Sequence, residues 1–133
     1  MELPTAAKAV ALRGLYLLPF VAASLRTGGL TRTRSRLNSL VRPVSCSPAL
    51  GPREIARLVH GAAAFLHIGC LPRALLLLRF LGDYGTRVEI RFGVQLAAAG
   101  GLAAHAWIEF DGEVLGERPD GPVGYAALPP LRG

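Results

Sequence analysis

Cysteine is scarce in this sequence, which has two in 133 residues, Cys46 and Cys70. Cys46 lies in a stretch rich in proline, serine and glycine between Val41 and Gly51, which predicts an exposed linker. Two such cysteines exclude a disulfide framework, and their spacing matches no familiar metal site. We therefore expect reduced thiols, a cytoplasmic protein and no metal or other cofactor.

Acidic residues are almost missing from the N-terminal third. Residues 1–45 hold seven basic side chains and one acidic, whereas residues 46–133 hold eight of each, so the net charge of +6 belongs to the first segment. Its densest part carries Arg26, Arg32, Arg34, Arg36 and Arg42. Such a run could bind an acidic peptide, anionic lipid or nucleic acid, or form a solvated basic linker. No aromatic residue lies among the arginines, which argues against a nucleic-acid partner.

Long hydrophobic runs are also lacking. The apolar stretch from Gly14 to Leu25 is shorter than the roughly 20 residues needed to cross a bilayer. Residues 4–25 instead predict a helix that bends at Pro19 and stops at the glycine pair that follows. This helix is expected to pack on the domain, rest on a membrane surface or contact a partner. A secretory signal is the alternative, although Glu2 weakens its basic start.

Cys70 stands immediately ahead of an apolar helix predicted from Leu71 to about Leu81. Pro72 suits the first turn of a helix, where its missing N–H would have no partner anyway. A helix with so few charges belongs in a core, and the partial positive charge at its N-terminus favours a thiolate. Cys70 is therefore a candidate nucleophile. The alternative is a small buried side chain without chemistry.

A histidine follows on a predicted strand. Apolar and polar residues alternate strictly over residues 104–110, which is typical of a half-buried strand, and His105 lies on the polar face. The Asp-Gly pair at 111–112 predicts a hairpin whose return strand covers residues 113–117. The hairpin therefore brings carboxylates back toward the histidine.

The register of this hairpin decides which side chain meets His105. A three-residue loop with a glycine bulge pairs His105 with Glu117, whereas a two-residue turn pairs it with Arg118. A hairpin that serves catalysis predicts the bulged loop. Asp111 is too far away, at roughly 20 Å along the strand. Asp120 is an alternative acid if the strand is distorted.

These residues define a possible catalytic set. His105 would take the proton of Cys70 or pair with its thiolate, and Glu117 would orient the imidazole. The backbone N–H of Cys70 could supply one oxyanion donor. Candidates for a second donor are Gln95, His67 and Trp107. The helix that begins at Pro52 has one apolar face, and His60 is expected to point away from it, at the surface.

The motifs together resemble the transglutaminase-like leader peptidase of lasso-peptide biosynthesis, in its stand-alone form, over roughly residues 50 to 128. The segments that carry the resemblance are 70–75, 85–94 and 104–112. The resemblance implies a thiol protease that cuts the leader from a ribosomal precursor, so that a separate cyclase can close a macrolactam. It also implies Cys70 as nucleophile, His105 as base and Glu117 as the acid, a position that is often Asp in the family.

We therefore expect an α+β fold, a transglutaminase-like or papain-like cysteine protease core with N-terminal helices and a small antiparallel sheet. Residues 1–45 would hold the apolar helix and basic segment, and residues 46–133 the catalytic core. The expected partners are the precursor peptide, a separate leader-binding protein and the cyclase. The rivals are a transglutaminase-like acyl transferase, in which an amine resolves the acyl-enzyme, and a non-catalytic adaptor that holds a precursor.

Overall fold

The computed structural model describes residues 5–45, 50–96, 100–116 and 126–127. It begins with helix α1, Thr5–Leu40, which is 36 residues long. Pro19 lies inside α1 with helical backbone angles, and the helix breaks instead at Gly29, where φ is 75° and ψ is −175°. Because only glycine adopts these angles readily, the break is encoded at this position. The predicted stop at the glycine pair is thus a sharp redirection, after which the helix resumes.

The arginine-rich segment is helical as far as Leu40, so its interpretation as a solvated linker is wrong. The two halves of α1 are joined across the break by a buried hydrogen bond of 2.8 Å between the hydroxyls of Ser24 and Thr33. Arg36 adds a hydrogen bond of 2.7 Å from Nη1 to the Ser24 hydroxyl. These contacts join residues on opposite sides of the break, which a charge pattern along the chain does not reveal.

Two shorter helices follow. Helix α2, Pro52–Leu66, begins after Gly51, whose N–H donates to Glu54 Oε1 at 3.2 Å. Helix α3 spans Cys70–Phe80. The side chains of Ala74, Leu75, Leu76, Leu77 and Phe80 in α3 are buried. The expected apolar core helix with Cys70 at its start is therefore confirmed.

Helix α3 also fixes the end of α1. The Arg79 guanidinium donates to the carbonyl of Val41 from Nε at 2.6 Å and to that of Asn38 from Nη2 at 3.1 Å. The last carbonyls of a helix lack intrahelical donors, so an arginine from a neighbouring helix satisfies them. Helix α1 packs on both α2 and α3.

The second half of the chain forms a small antiparallel sheet. Its strands are β1 (Val88–Leu96), β2 (Leu102–Phe110), β3 (Glu113–Leu115) and β4 (Ala126–Ala127), in the order β3-β2-β1-β4. The buried face of the sheet consists of Val88, Ile90, Ala106, Ile108 and Leu115. This face belongs to the same hydrophobic core as the three helices, and α3 packs on β1 and β2. The α+β architecture expected from the sequence is confirmed.

The hairpin between β2 and β3 has the two-residue turn. Phe110 pairs with Glu113, and φ is 50° at Asp111 and 84° at Gly112. Positive φ at both central residues defines a type I′ turn, whose twist matches that of the flanking strands. The bulged three-residue loop is therefore a wrong prediction. Arg87 holds the turn, with Nε and Nη2 donating to the Asp111 carboxylate at 3.0 and 2.7 Å.

Candidate functional site

Cys70 is the first residue of α3. Gly69, which precedes it, has an extended backbone and is exposed, while Cys70 itself is half-buried against the core. The N–H groups in the first turn of a helix have no intrahelical acceptor, so they point toward whatever lies before the helix. The thiol thus stands at a helix N-terminus, where backbone N–H groups can stabilise an oxyanion.

His105 lies on β2 and is half-buried. Its partner across the strands is Gly93 of β1, which places no side chain beside the imidazole. Trp107 stacks on His105 with ring centroids 5.7 Å apart and an interplanar angle of 23°. The indole of Trp107 donates to Glu109 Oε2 at 2.9 Å. Trp107 therefore supports the histidine and uses its only donor within the strand, which weakens its candidacy as an oxyanion donor.

His60 of α2 belongs to this region, which corrects its assignment as a surface residue. It is half-buried, and a Cβ added to Gly116, just after β3, would lie 2.5 Å from His60 Nε2. Burial, followed by the charges of Arg73 and His105, lowers the pKa of His60 from 6.5 to about 4. A neutral imidazole therefore stands where α2, α3, β2 and the end of β3 meet.

The sequence did hold a signal for this placement. Ala56 and Ala63 are both buried, and they lie four residues before and three residues after His60. Residues three and four apart share a helix face, so the small side chains widen the buried face until it reaches the histidine. The other two candidate donors are His67, exposed at the end of α2, and Gln95, half-buried on β1.

The predicted acid lies outside the described residues. Gly116, with a φ of 77°, is the last residue described before Glu117. Asp120 and Cys46 are likewise outside the described residues, so the assignment of an acid to the site stays a prediction. Asp111 is described and lies in the hairpin turn, where its carboxylate pairs with Arg87.

Two further features bear on the location of the site. A cleft is lined by Leu78 and Arg79 of α3 together with Arg34 of α1. Since Leu78 follows Cys70 by more than two helical turns, about 12 Å along the axis, this cleft is separate from the thiol. Among the residues that the structure describes, no three His, Cys, Asp or Glu side chains are grouped in a way that could hold a metal ion.

Cys70 starts α3, and His105 lies on β2, which packs against α3. The chain belongs to the Transglutaminase-like superfamily, whose family model matches residues 14–129. That superfamily includes cysteine proteases and acyltransferases. No curated protein matches the chain. No solved structure matches it either. The matched region contains most of α1 as well as the helices and strands that follow.

Proposed function

We propose that this protein is a cysteine endopeptidase that removes the leader peptide from a lasso-peptide precursor. The observation that carries the proposal is the placement of Cys70 at the N-terminus of α3, which packs on the strand that holds His105. Superfamily membership and the motif resemblance support the same chemistry.

The proposed reaction has two steps. The Cys70 thiolate attacks the carbonyl carbon at the leader–core junction, and His105 gives its proton to the departing amine of the core peptide, leaving the leader as a thioester on sulfur. His105 then takes a proton from water, which hydrolyses the thioester and frees the thiol. N–H groups in the first turn of α3 stabilise the oxyanion in both steps, and Glu117 orients the imidazole.

The proposal includes partners. A separate leader-binding protein would deliver the precursor and raise its effective concentration at the thiol. The released core peptide would pass to a macrolactam-forming cyclase. A cytoplasmic setting would keep Cys70 reduced. No cofactor and no nucleic acid takes part in this scheme.

Mass spectrometry of the precursor, incubated with the protein and its leader-binding partner, tests the proposal. We expect one cut at the leader–core junction that is lost with Cys70→Ala and is reduced about 10²- to 10⁴-fold with His105→Ala, the usual contribution of a general acid–base group. Glu117→Ala should reduce the rate less, since it acts through the histidine. Cys46→Ala is the matched control and should cut like wild type.

The outcomes separate the rival functions. Joining of the leader to an added amine instead of hydrolysis would identify an acyl transferase. Full precursor binding without a cut, unchanged by Cys70→Ala, would identify an adaptor. Either result overturns the protease.

A further inference from the structure

The first half of α1 has an outward face without charge. Leu12, Tyr16 and Phe20 follow one another at four-residue spacing and are 62%, 60% and 36% exposed. Residues at this spacing share one side of a helix. Together with Ala9, Pro19 and Ala23, which are also exposed, they form what we name the α1 outer face.

Arg13, the one charged residue between Lys8 and Arg26, does not interrupt this face. Its guanidinium lies 4.7 Å from the centroid of the Phe80 ring, and its Nη2 donates to the Arg42 carbonyl at 2.7 Å. The charge is therefore folded against the domain. An uncharged surface about four turns long remains exposed to solvent.

The opposite side of α1 packs in the hydrophobic core. Val10, Leu18 and Val21 are almost completely buried, and α1 packs on α2 and α3. By length and composition α1 is apolar enough to cross a membrane. If α1 crossed a membrane, its buried side would lose its contacts with α2 and α3. If α1 lay in the plane of the membrane interface, these contacts would be kept.

The charged residues around the α1 outer face are basic, which favours an anionic surface as its partner. Lys8 and Arg26 bound the face, both are exposed, and α1 contains no acidic residue over its whole length. Arg32, in the second half of the helix, adds another exposed cation. Apolar and aromatic residues bordered by basic ones are typical of helices that bind anionic lipid.

We infer that the α1 outer face rests on an anionic phospholipid surface, with the helix axis parallel to the membrane plane. The inference is independent of the peptidase proposal, since it uses neither Cys70 nor His105. Binding of this kind would hold the protein at a membrane, and the domain that contains Cys70 would stay folded.

Vesicle co-sedimentation of the full chain tests this inference. Vesicles containing phosphatidylglycerol are compared with vesicles of phosphatidylcholine alone. We expect wild type to bind the anionic vesicles, more weakly at high salt. The combined variant Leu12→Ser, Tyr16→Ser and Phe20→Ser should lower the partition coefficient at least tenfold, and Lys8→Gln with Arg26→Gln should lower it severalfold.

The matched control is Leu96→Ser with Leu102→Ser, which removes two apolar side chains that are 82% and 72% exposed on the sheet. This control should bind vesicles like wild type, and circular dichroism of each variant checks that it is folded. Absence of wild-type binding to anionic vesicles, or an equal loss in the control, overturns the inference. If wild type ignores vesicles and the triple variant instead loses the leader-binding protein, the face is a protein interface and the lipid inference is wrong.

Discussion

Acidification should destabilise this protein through His60, a residue whose charged form the fold does not accommodate. The imidazole is half-buried between helices and the end of β3, and the groups that face it are Arg73 from α3, His105 from β2 and the backbone of Gly116. Burial contributes most to the lowered pKa of His60, and the charges of Arg73 and His105 lower it further. Protonation of His60 would therefore add a cation to a site that already disfavours one.

The size of the effect follows from the pKa of His60, which is 6.5 in the unfolded chain and about 4 in the fold. The unfolded state binds the proton more tightly, so stability falls as the pH drops below 6.5 and stops falling below about 4. Linkage gives a loss of at most about 2 kcal/mol between about pH 7 and about pH 5. Above pH 7 both states are neutral at His60, and this contribution is constant.

Urea unfolding of wild type and His60→Gln across this pH range measures the effect. Glutamine keeps a polar side chain and does not titrate. Between about pH 7 and about pH 5, the free energy of unfolding of His60→Gln should therefore fall by about 2 kcal/mol less than that of wild type. Carboxylates such as Asp111, whose pKa is lowered by its hydrogen bonds with Arg87, titrate alike in both proteins and cancel in the difference. Parallel stability curves for the two proteins would refute the placement of His60.

Four further substitutions test the backbone and the hairpin. Gly116→Ala places a Cβ 2.5 Å from His60 Nε2 at a φ of 77° and should cost about 2–4 kcal/mol. Denaturation of the double variant with His60→Ala should show partial recovery, and strict additivity would contradict the contact. Gly29→Ala meets no atom within 4 Å but should cost about 1–3 kcal/mol from backbone strain alone, whereas Gly61→Ala in α2 should stabilise by about 0.5–1 kcal/mol. Asp111→Asn keeps a residue suited to the turn, so thermal melts should show only a small loss that shrinks with added salt.

The helices on which the site depends are encoded locally. A glycine followed within three residues by proline starts both α2 and α3, and the apolar stripe of each helix is visible without any other part of the chain. The strand β2 could also be predicted, although Trp107, which shares a face with His105, is buried and Ala104 is exposed. These features could be predicted because they depend on neighbours three or four positions away, or on the period of two in a strand.

Two of the errors came from contacts between distant residues, and the third concerned a local turn. The arginine-rich segment looks solvated in sequence, yet it packs as helix because Gly29 redirects the chain and Arg79 from α3 satisfies its last carbonyls. His60 looks like a surface residue until α2 docks against the end of β3. The turn between β2 and β3 was assigned from the needs of catalysis, although Asp-Gly with positive φ favours the two-residue form on its own.

The two-residue turn changes how an acid could reach His105. If β3 continued in register beyond Leu115, position 118 would pair with His105. The described chain instead leaves the strand at Gly116, where His60 occupies the space that a side chain would need. An alanine at position 116 would displace His60 or the backbone of residue 116, which precedes the predicted acid in sequence. If Glu117 is the acid, Gly116→Ala should slow precursor cleavage at temperatures where circular dichroism shows the variant fully folded. Cleavage at the wild-type rate under those conditions would exclude an acid positioned through Gly116.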